Sequence, residues 1–354
     1  MIGLWDTTGT ALVKALAAER RSAGGVTSGL ALTLVAIVDE REIKSAESAV
    51  TIATQAHPCR LLLVVRYDVT DQRSRLDAEV IVGGRLGPCE AVVMRMRGRL
   101  ALHAESVVTP LLAPDVPVVT WWQLQPPERI AYDPLGVVAD RRITDAAQAD
   151  DPIAALRIRA DDYAPGDTDL SWTRLTPLRT VLASTLDTLH EDVHVTGATI
   201  AAPAKDPSAA LLRGWLTVRL GVQPTAQETG GKHISGVHLT LSDGGAFELE
   251  RQNGQMRMRR TGLPERTIPV GSLQLGDELA EELRRLDPDQ PYAAALAAAT
   301  ARSGLQERPS TRQHVWKDPA LAERPEAAEH PGAAEQPKPA ERRPHEADAQ
   351  SVAS

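Results

Sequence analysis

Apolar positions along this chain alternate between helical spacing and short unbroken runs, and that alternation predicts most of its elements. Between residues 6 and 21, Leu12, Val13, Leu16 and Ala17 recur at helical intervals with Thr7 or Thr8 available as a cap, so an amphipathic helix is expected. Residues 30–38 form a continuous apolar run rich in β-branched side chains, the pattern of a strand buried on both faces. Residues 40–56 return to helical spacing, and His57-Pro58-Cys59-Arg60 ends that helix because proline drives its predecessor out of the α region. Residues 61–65 are the next buried strand, and residues 77–82 and 92–96 are shorter ones joined through Gly83, Gly84, Gly87 and Pro88. Residues 100–111 read as helix and 116–122 as strand.

The second half repeats the mixture in a different order. A strand at 193–201 and a helix at 208–220 precede antiparallel strands at 234–241, 246–250 and 255–260, with Asp243-Gly244 and Asn253-Gly254 as hairpin turns. Residues 267–270 add a further strand. Residues 275–286 and 291–301 read as helices, the first with Asp277 and Glu278 favourably placed against its N-terminal dipole. The fold class expected is α/β, in two mixed domains. A three-layer N-terminal domain spans 1–150, with a mixed sheet because its middle strands are joined by turns too short for crossover helices. A short helix and an exposed acidic connection follow over 151–168, then an α+β-like C-terminal domain over 169–305. From 306 to 354 prolines recur among Ala, Glu and Arg with little to fill a core, so a disordered tail is expected.

Charge narrows the function. The 39 basic and 47 acidic residues give a net charge of -8, which argues against a general nucleic-acid binder because an anionic surface repels phosphate backbones. No apolar run approaches the roughly 20 residues that span a bilayer, so no membrane role is expected. The first 25 residues carry Asp6, Lys14, Glu19, Arg20 and Arg21 and no apolar signal core, which points to a cytoplasmic location and reduced Cys59 and Cys89.

Catalytic signatures are missing. No G-x-G-x-x-G follows a strand and no G-x-S-x-G elbow occurs. Thr229-Gly230-Gly231-Lys232-His233 has a superficial likeness to a phosphate loop, but Ala226 stands where the first glycine is required and His233 where the magnesium-binding hydroxyl belongs. It reads as a flexible surface loop. His57, Cys59, Cys89 and His103 match no zinc spacing, and His190, Glu191, Asp192 and His194 read as a solvated turn. No catalytic, cofactor or metal residues are assigned.

What remains is a set of groups suited to gripping another protein. With aromatics at only 3% of residues, each tryptophan carries a large share of the anchoring surface. Thr176 and Pro177 mark a helix start that should bury Leu178, Val181, Leu182, Leu186 and Leu189, and Trp172, Arg174 and Arg179 stand at its entrance. Adjacent Trp121 and Trp122 on a strand point to opposite faces, beside a stiff loop of Pro126, Pro127, Glu128 and Arg129. Asp140 and Arg141 open the next element. Trp121, Trp122, Arg129, Asp140, Arg141, Trp172, Arg174 and Arg179 are therefore the candidate partner-binding residues. Burial of the same tryptophans beneath their own loops is the competing reading.

Five motifs together resemble one family: LWDTTGT at 4–10, HPCR at 57–60, TWW at 120–122, ADRRITD at 139–145 and DLSWTRLTPLR at 169–179. In this order, over residues 4–302, they resemble the bacterial OpcA family of glucose-6-phosphate dehydrogenase assembly proteins. The resemblance implies a non-catalytic cytoplasmic partner that binds the dehydrogenase and promotes its assembly or allosteric activation in the oxidative pentose phosphate pathway. It implies no cofactor, and leaves the chain's own oligomeric state open. The alternative function is a sugar-phosphate-binding sensor or enzyme with an Arg- and Gly-lined anion pocket; a scaffold whose tail recruits other proteins is a third.

Overall fold

A computed structural model describes residues 1–23, 30–83, 90–130, 132–252, 254–269 and 273–310. The turn expected at 84–89, with Cys89, the turn residue Asn253 and most of the expected tail lie outside the described residues. In chain order the elements are β1 (Ile2–Leu4), α1 (Gly9–Ser22), β2 (Leu32–Asp39), α2 (Ile43–Ala56), β3 (Cys59–Arg66), β4 (Arg75–Val82), β5 (Glu90–Arg97), α3 (Arg99–Leu102), α4 (Glu105–Val108) and β6 (Val118–Trp122). There follow α5 (Pro134–Val137), β7 (Arg141–Thr144), α6 (Pro152–Asp161), β8 (Asp167–Asp169), α7 (Leu170–Thr173), α8 (Thr176–Leu186), β9 (Val195–Ala202) and α9 (Pro207–Leu220). The last are β10 (Thr225–Glu228), β11 (Gly236–Leu241), β12 (Ala246–Gln252), β13 (Gln255–Arg260), β14 (Arg266–Ile268), α10 (Leu275–Arg284) and α11 (Gln290–Thr300).

The fold is mixed α/β and carries two sheets, as the hydrophobic pattern predicts. The first runs β1-β4-β5-β3-β2-β6-β7-β8. β5, β3, β2, β6, β7 and β8 are parallel, and only β1 and β4 run against their neighbours. Its central strands are mostly apolar because helices cover both faces: Leu34, Ala36 and Val38 of β2 enter one core cluster, Val35 and Ile37 the other. The second sheet runs β10-β9-β11-β12-β13-β14, parallel only between β10 and β9. Leu211, Leu212 and Leu216 of α9 and Leu296 of α11 share one cluster with Phe247 and Leu249 of that sheet. α9 and α11 approach so closely that a Cβ on Gly214 would lie 2.1 Å from the Ala295 carbonyl oxygen.

Three features depart from the expected reading. The short helix expected after residue 150 is α6, but the exposed connection expected after it leads into β8, whose Asp167, Thr168 and Asp169 are all buried. Charged side chains mask a strand pattern when each has a partner within the fold. α10 crosses to the first sheet: Leu279 and Leu283 join its core, and Gly276 comes near enough to α2 that a Cβ would meet the Ile52 Cβ at 2.6 Å. Finally, Leu175 rather than Thr176 caps α8, and the Thr176 hydroxyl accepts instead from the Arg179 guanidinium at 3.1 Å. Leu178 and Leu182 of that helix are buried as expected.

Candidate functional site

Strands β7 and β8 pair in parallel, which sets Arg142 beside Asp167 and Thr144 beside Asp169. Arg142 is buried and fully engaged: it forms an ion pair with Asp167 and donates to the carbonyls of Gly136, Ala139 and Pro165. Asp169 accepts from the Thr144 hydroxyl at 2.7 Å and from the backbone N–H groups of Ala146 and Ser171 at 2.9 Å. Burial, reinforced by the neighbouring Asp145 carboxylate, pushes its pKa up to about 6. Those bonds to the ionised form do not offset the loss of solvent.

Arg174 joins this layer to α10. Its guanidinium takes Asp145 in a fork at 2.7 Å and Glu278 in a second fork at 2.8 Å. Burial works against the Arg174 charge, but the two carboxylates outweigh it and hold its pKa above the usual arginine value. Glu278 remains above the ordinary carboxylate range because burial outweighs the Arg174 charge. One turn further along α10, Glu282 pairs with Arg141 and accepts from the Thr173 hydroxyl at 2.6 Å. The sequence between β7 and α8 therefore fastens α10 to the parallel sheet.

These interactions place most of the contact residues expected from sequence within the fold. Trp172 is 1% exposed; its Nε1 donates to Asp289 at 2.9 Å, its ring tilts against Tyr292, and the Arg179 guanidinium lies 3.5 Å from its ring centre. Burial pushes Arg179 down to about 10. Trp121 and Trp122 do point to opposite faces, yet both are buried, one in each core cluster. Helices on both faces cover both indoles. Arg141 and Arg174 serve internal carboxylates, and the Asp140 carboxylate accepts from the Val118 N–H at 2.8 Å. Arg129 and Asp140 are exposed; Arg129 lies over Tyr132 at 5.5 Å and belongs to a loop whose Pro127 and Glu128 carbonyls accept from buried Arg159.

The sequence reading missed Trp5. It is 70% exposed, whereas Trp121, Trp122, Trp172 and Trp215 are buried. The signal was its setting, because Trp5 follows a three-residue edge strand and precedes Asp6, Thr7 and Thr8, outside any apolar run. Elsewhere the expected assignments match: Cys59 packs in the core of the parallel sheet, and His190 and Asp192 are 3.4 Å apart on an exposed turn. Among the described residues no group of His, Cys, Asp and Glu side chains is arranged to hold a metal ion.

Arg174 and Glu278 also form the inner wall of a cleft of about 780 Å³ between the two sheets. Its floor is Leu175, Leu178, Ile234 and Met256, and its rim carries Lys205, Lys232, His233 and Arg251. Asp206 on its wall caps α9, accepting from the Ser208 and Ala209 N–H groups at 2.8 and 3.3 Å, and the Ser208 hydroxyl donates to the Ser171 carbonyl. Neither is left as a base or a nucleophile.

Two family models match the chain, both described as domains of a glucose-6-phosphate dehydrogenase subunit. The model of the N-terminal domain matches residues 50–161, and the model of the C-terminal domain matches residues 165–296. No curated protein matches the chain significantly. Among solved structures, an NAD binding oxidoreductase from Klebsiella pneumoniae aligns with 77% of this chain and 94% of its own, at 12% identity and a TM-score of 0.39. A likeness that weak carries no argument about fold or function.

Proposed function

The chain belongs to the OpcA family of glucose-6-phosphate dehydrogenase assembly proteins, and from that membership we propose that it binds the dehydrogenase and favours its active assembly without catalysing a reaction itself. The observation that carries this reading is the pair of family matches in sequence order, both named for the same enzyme. The parallel sheet supports it. Doubly wound sheets bind ligands in the crevice where the strand order reverses, at the carboxyl ends of the strands. Here that point lies between β2 and β6, and it is filled: Trp121, Trp122 and Gln123 are buried at the end of β6, with the Gln123 amide reaching the Glu42 carbonyl at 3.5 Å. No helix among the described residues is long and apolar enough to cross a membrane, and a cytoplasmic place in the pentose phosphate pathway completes the proposal.

Contact is assigned to what the surface offers. Trp5 and the Arg129–Tyr132 pair present an indole, a guanidinium and a phenol, the side chains most enriched at interfaces, and the Arg159-held loop loses little entropy on docking. An effector raises activity only by binding the active form more tightly than the inactive one. Mixing the purified proteins should give co-elution and faster oxidation of glucose 6-phosphate, and Trp5→Ala should weaken the complex by about tenfold or more. Separate elution with unchanged kinetics refutes the function; full affinity in both Trp5→Ala and Arg129→Ala refutes the contact surface.

A further inference from the structure

The cleft between the sheets is not used by the proposed partner contact, and its chemistry is distinctive within this chain. Arg174, Lys205, Lys232 and Arg251 face two carboxylates, Asp206 and Glu278, which leaves the lining two positive charges in excess on a protein of net charge -8. Arg174 is committed to Asp145 and Glu278, and Lys205 stands 3.6 Å from Asp151. Among the described residues the side chains of Lys232, His233 and Arg251 make no hydrogen bond or ion pair, although His233 is near enough to Asp206 to act on its carboxylate. They converge because the backbone forces them together. The 229–235 loop is pinned at both ends, the Thr229 N–H donating to the Ala202 carbonyl at 2.9 Å and the Ser235 N–H to the Ala201 carbonyl at 2.8 Å. The Arg251 N–H then donates to the Ser235 carbonyl at 2.7 Å, which holds the arginine beside the loop carrying Lys232 and His233.

Beneath these cations the floor is apolar: Leu175, Leu178, Ile234 and Met256 are all buried side chains that reach the cleft. A volume of about 780 Å³ lies within the range of small-molecule sites, which combine an apolar lining with a few placed polar groups. The N-terminus of α9 is not the anion-binding element, because Asp206 already takes its N–H groups. Anion recognition falls to the side chains of Lys232, His233 and Arg251. We infer that this cleft is a nucleotide-binding effector site, with the phosphates held by Lys232, His233 and Arg251 and the base laid over Leu178, Ile234 and Met256. Glycine at 231, with φ of +116°, lets the loop turn its basic tip toward the mouth, although the sequence lacks the magnesium-binding hydroxyl of a hydrolytic phosphate loop. Binding without turnover is therefore expected.

The test is calorimetric titration of the full chain, free of any partner protein, with ADP, inorganic pyrophosphate and adenosine at constant ionic strength. ADP should bind, with pyrophosphate and adenosine each at least about tenfold weaker because each uses half of the site. The exposed double variant Lys232→Ala, Arg251→Ala should lose about a hundredfold in ADP affinity, roughly tenfold per charge-assisted contact, while its urea midpoint stays that of the unmodified protein. No heat with ADP, an affinity unchanged in the double variant, or adenosine binding as tightly as ADP each overturns the assignment. Failure here leaves the dehydrogenase contact untouched, since that is read by co-elution.

Discussion

Replacing Arg174 with alanine tests whether the polar layer between β7 and α10 holds the molecule together. The substitution removes two forked ion pairs at once and leaves Asp145, 1% exposed at its side chain, and Glu278, 5% exposed, without their cation. Breaking a buried pair from one side costs about 3–5 kcal/mol, because the remaining charge stays desolvated. Arg174 is itself 27% exposed, so water can reach the vacated position and the lower end, about 3 kcal/mol, is expected. The penalty should depend on pH with a definite sign. Glu278 is already raised by burial, and loss of Arg174 removes the strongest influence lowering it. Its folded pKa in the variant therefore lies further above the unfolded value, and protonation restores stability as pH falls through that folded pKa. Urea unfolding followed by tryptophan fluorescence, at pH 7 and pH 5, measures both quantities because the buried indoles report directly on opening of the core. A loss below about 1 kcal/mol at pH 7, or a loss as large at pH 5 as at pH 7, refutes the argument.

Two further outcomes follow from the geometry. Asp169, with a pKa of about 6 in the fold against 3.8 as the reference, favours the folded state below pH about 4 and progressively less as pH rises through 6; carboxyl-carbon NMR should show an aspartate titrating near 6 whose signal vanishes in Asp169→Asn, and no aspartate titrating above 5 would contradict the burial argument. Gly214→Ala places a methyl carbon where the Ala295 carbonyl oxygen lies 2.1 Å away and should cost about 2 kcal/mol or more by parting α9 from α11; a urea midpoint unchanged by the substitution would show that the helices are not packed at that distance.

Strands and helices with a regular apolar period were readable before the structure. β2, β3 and β13 fall where the pattern places them, and the cap on α1 is Thr8, one of the two threonines expected, accepting from the Ala11 N–H. β7 and β8 were not readable, because Arg-Arg-Ile-Thr and Asp-Thr-Asp have neither an apolar run nor a two-residue alternation. Their burial depends on partners more than 20 residues away, or more than 100 in the case of Arg141 and Glu282. The same physics bears on the contact residues. Trp172 and Arg174 look like groups reaching for a second protein, and what they reach is Asp289 and Glu278 of the same chain. Residue type signals strong, directional contact, but does not say whether the partner is internal. Trp5 was missed, and the signal for it was weak: an indole between an apolar edge strand and the polar Asp6, Thr7 and Thr8.

The crossing of α10 to α2 has a consequence for biosynthesis. A ribosome emits the parallel sheet and α2 long before it reaches residue 275, so Ile52 and the Ala49 carbonyl wait without their α10 neighbour while the second sheet is still being made. During that interval the part of α2 that Gly276 later meets, at Ile52, stands open to solvent. A gene fragment ending near residue 161 would freeze the chain in that state, sticky and short of its lid. The boundary between the two matched segments therefore separates α2 from the helix that packs on it.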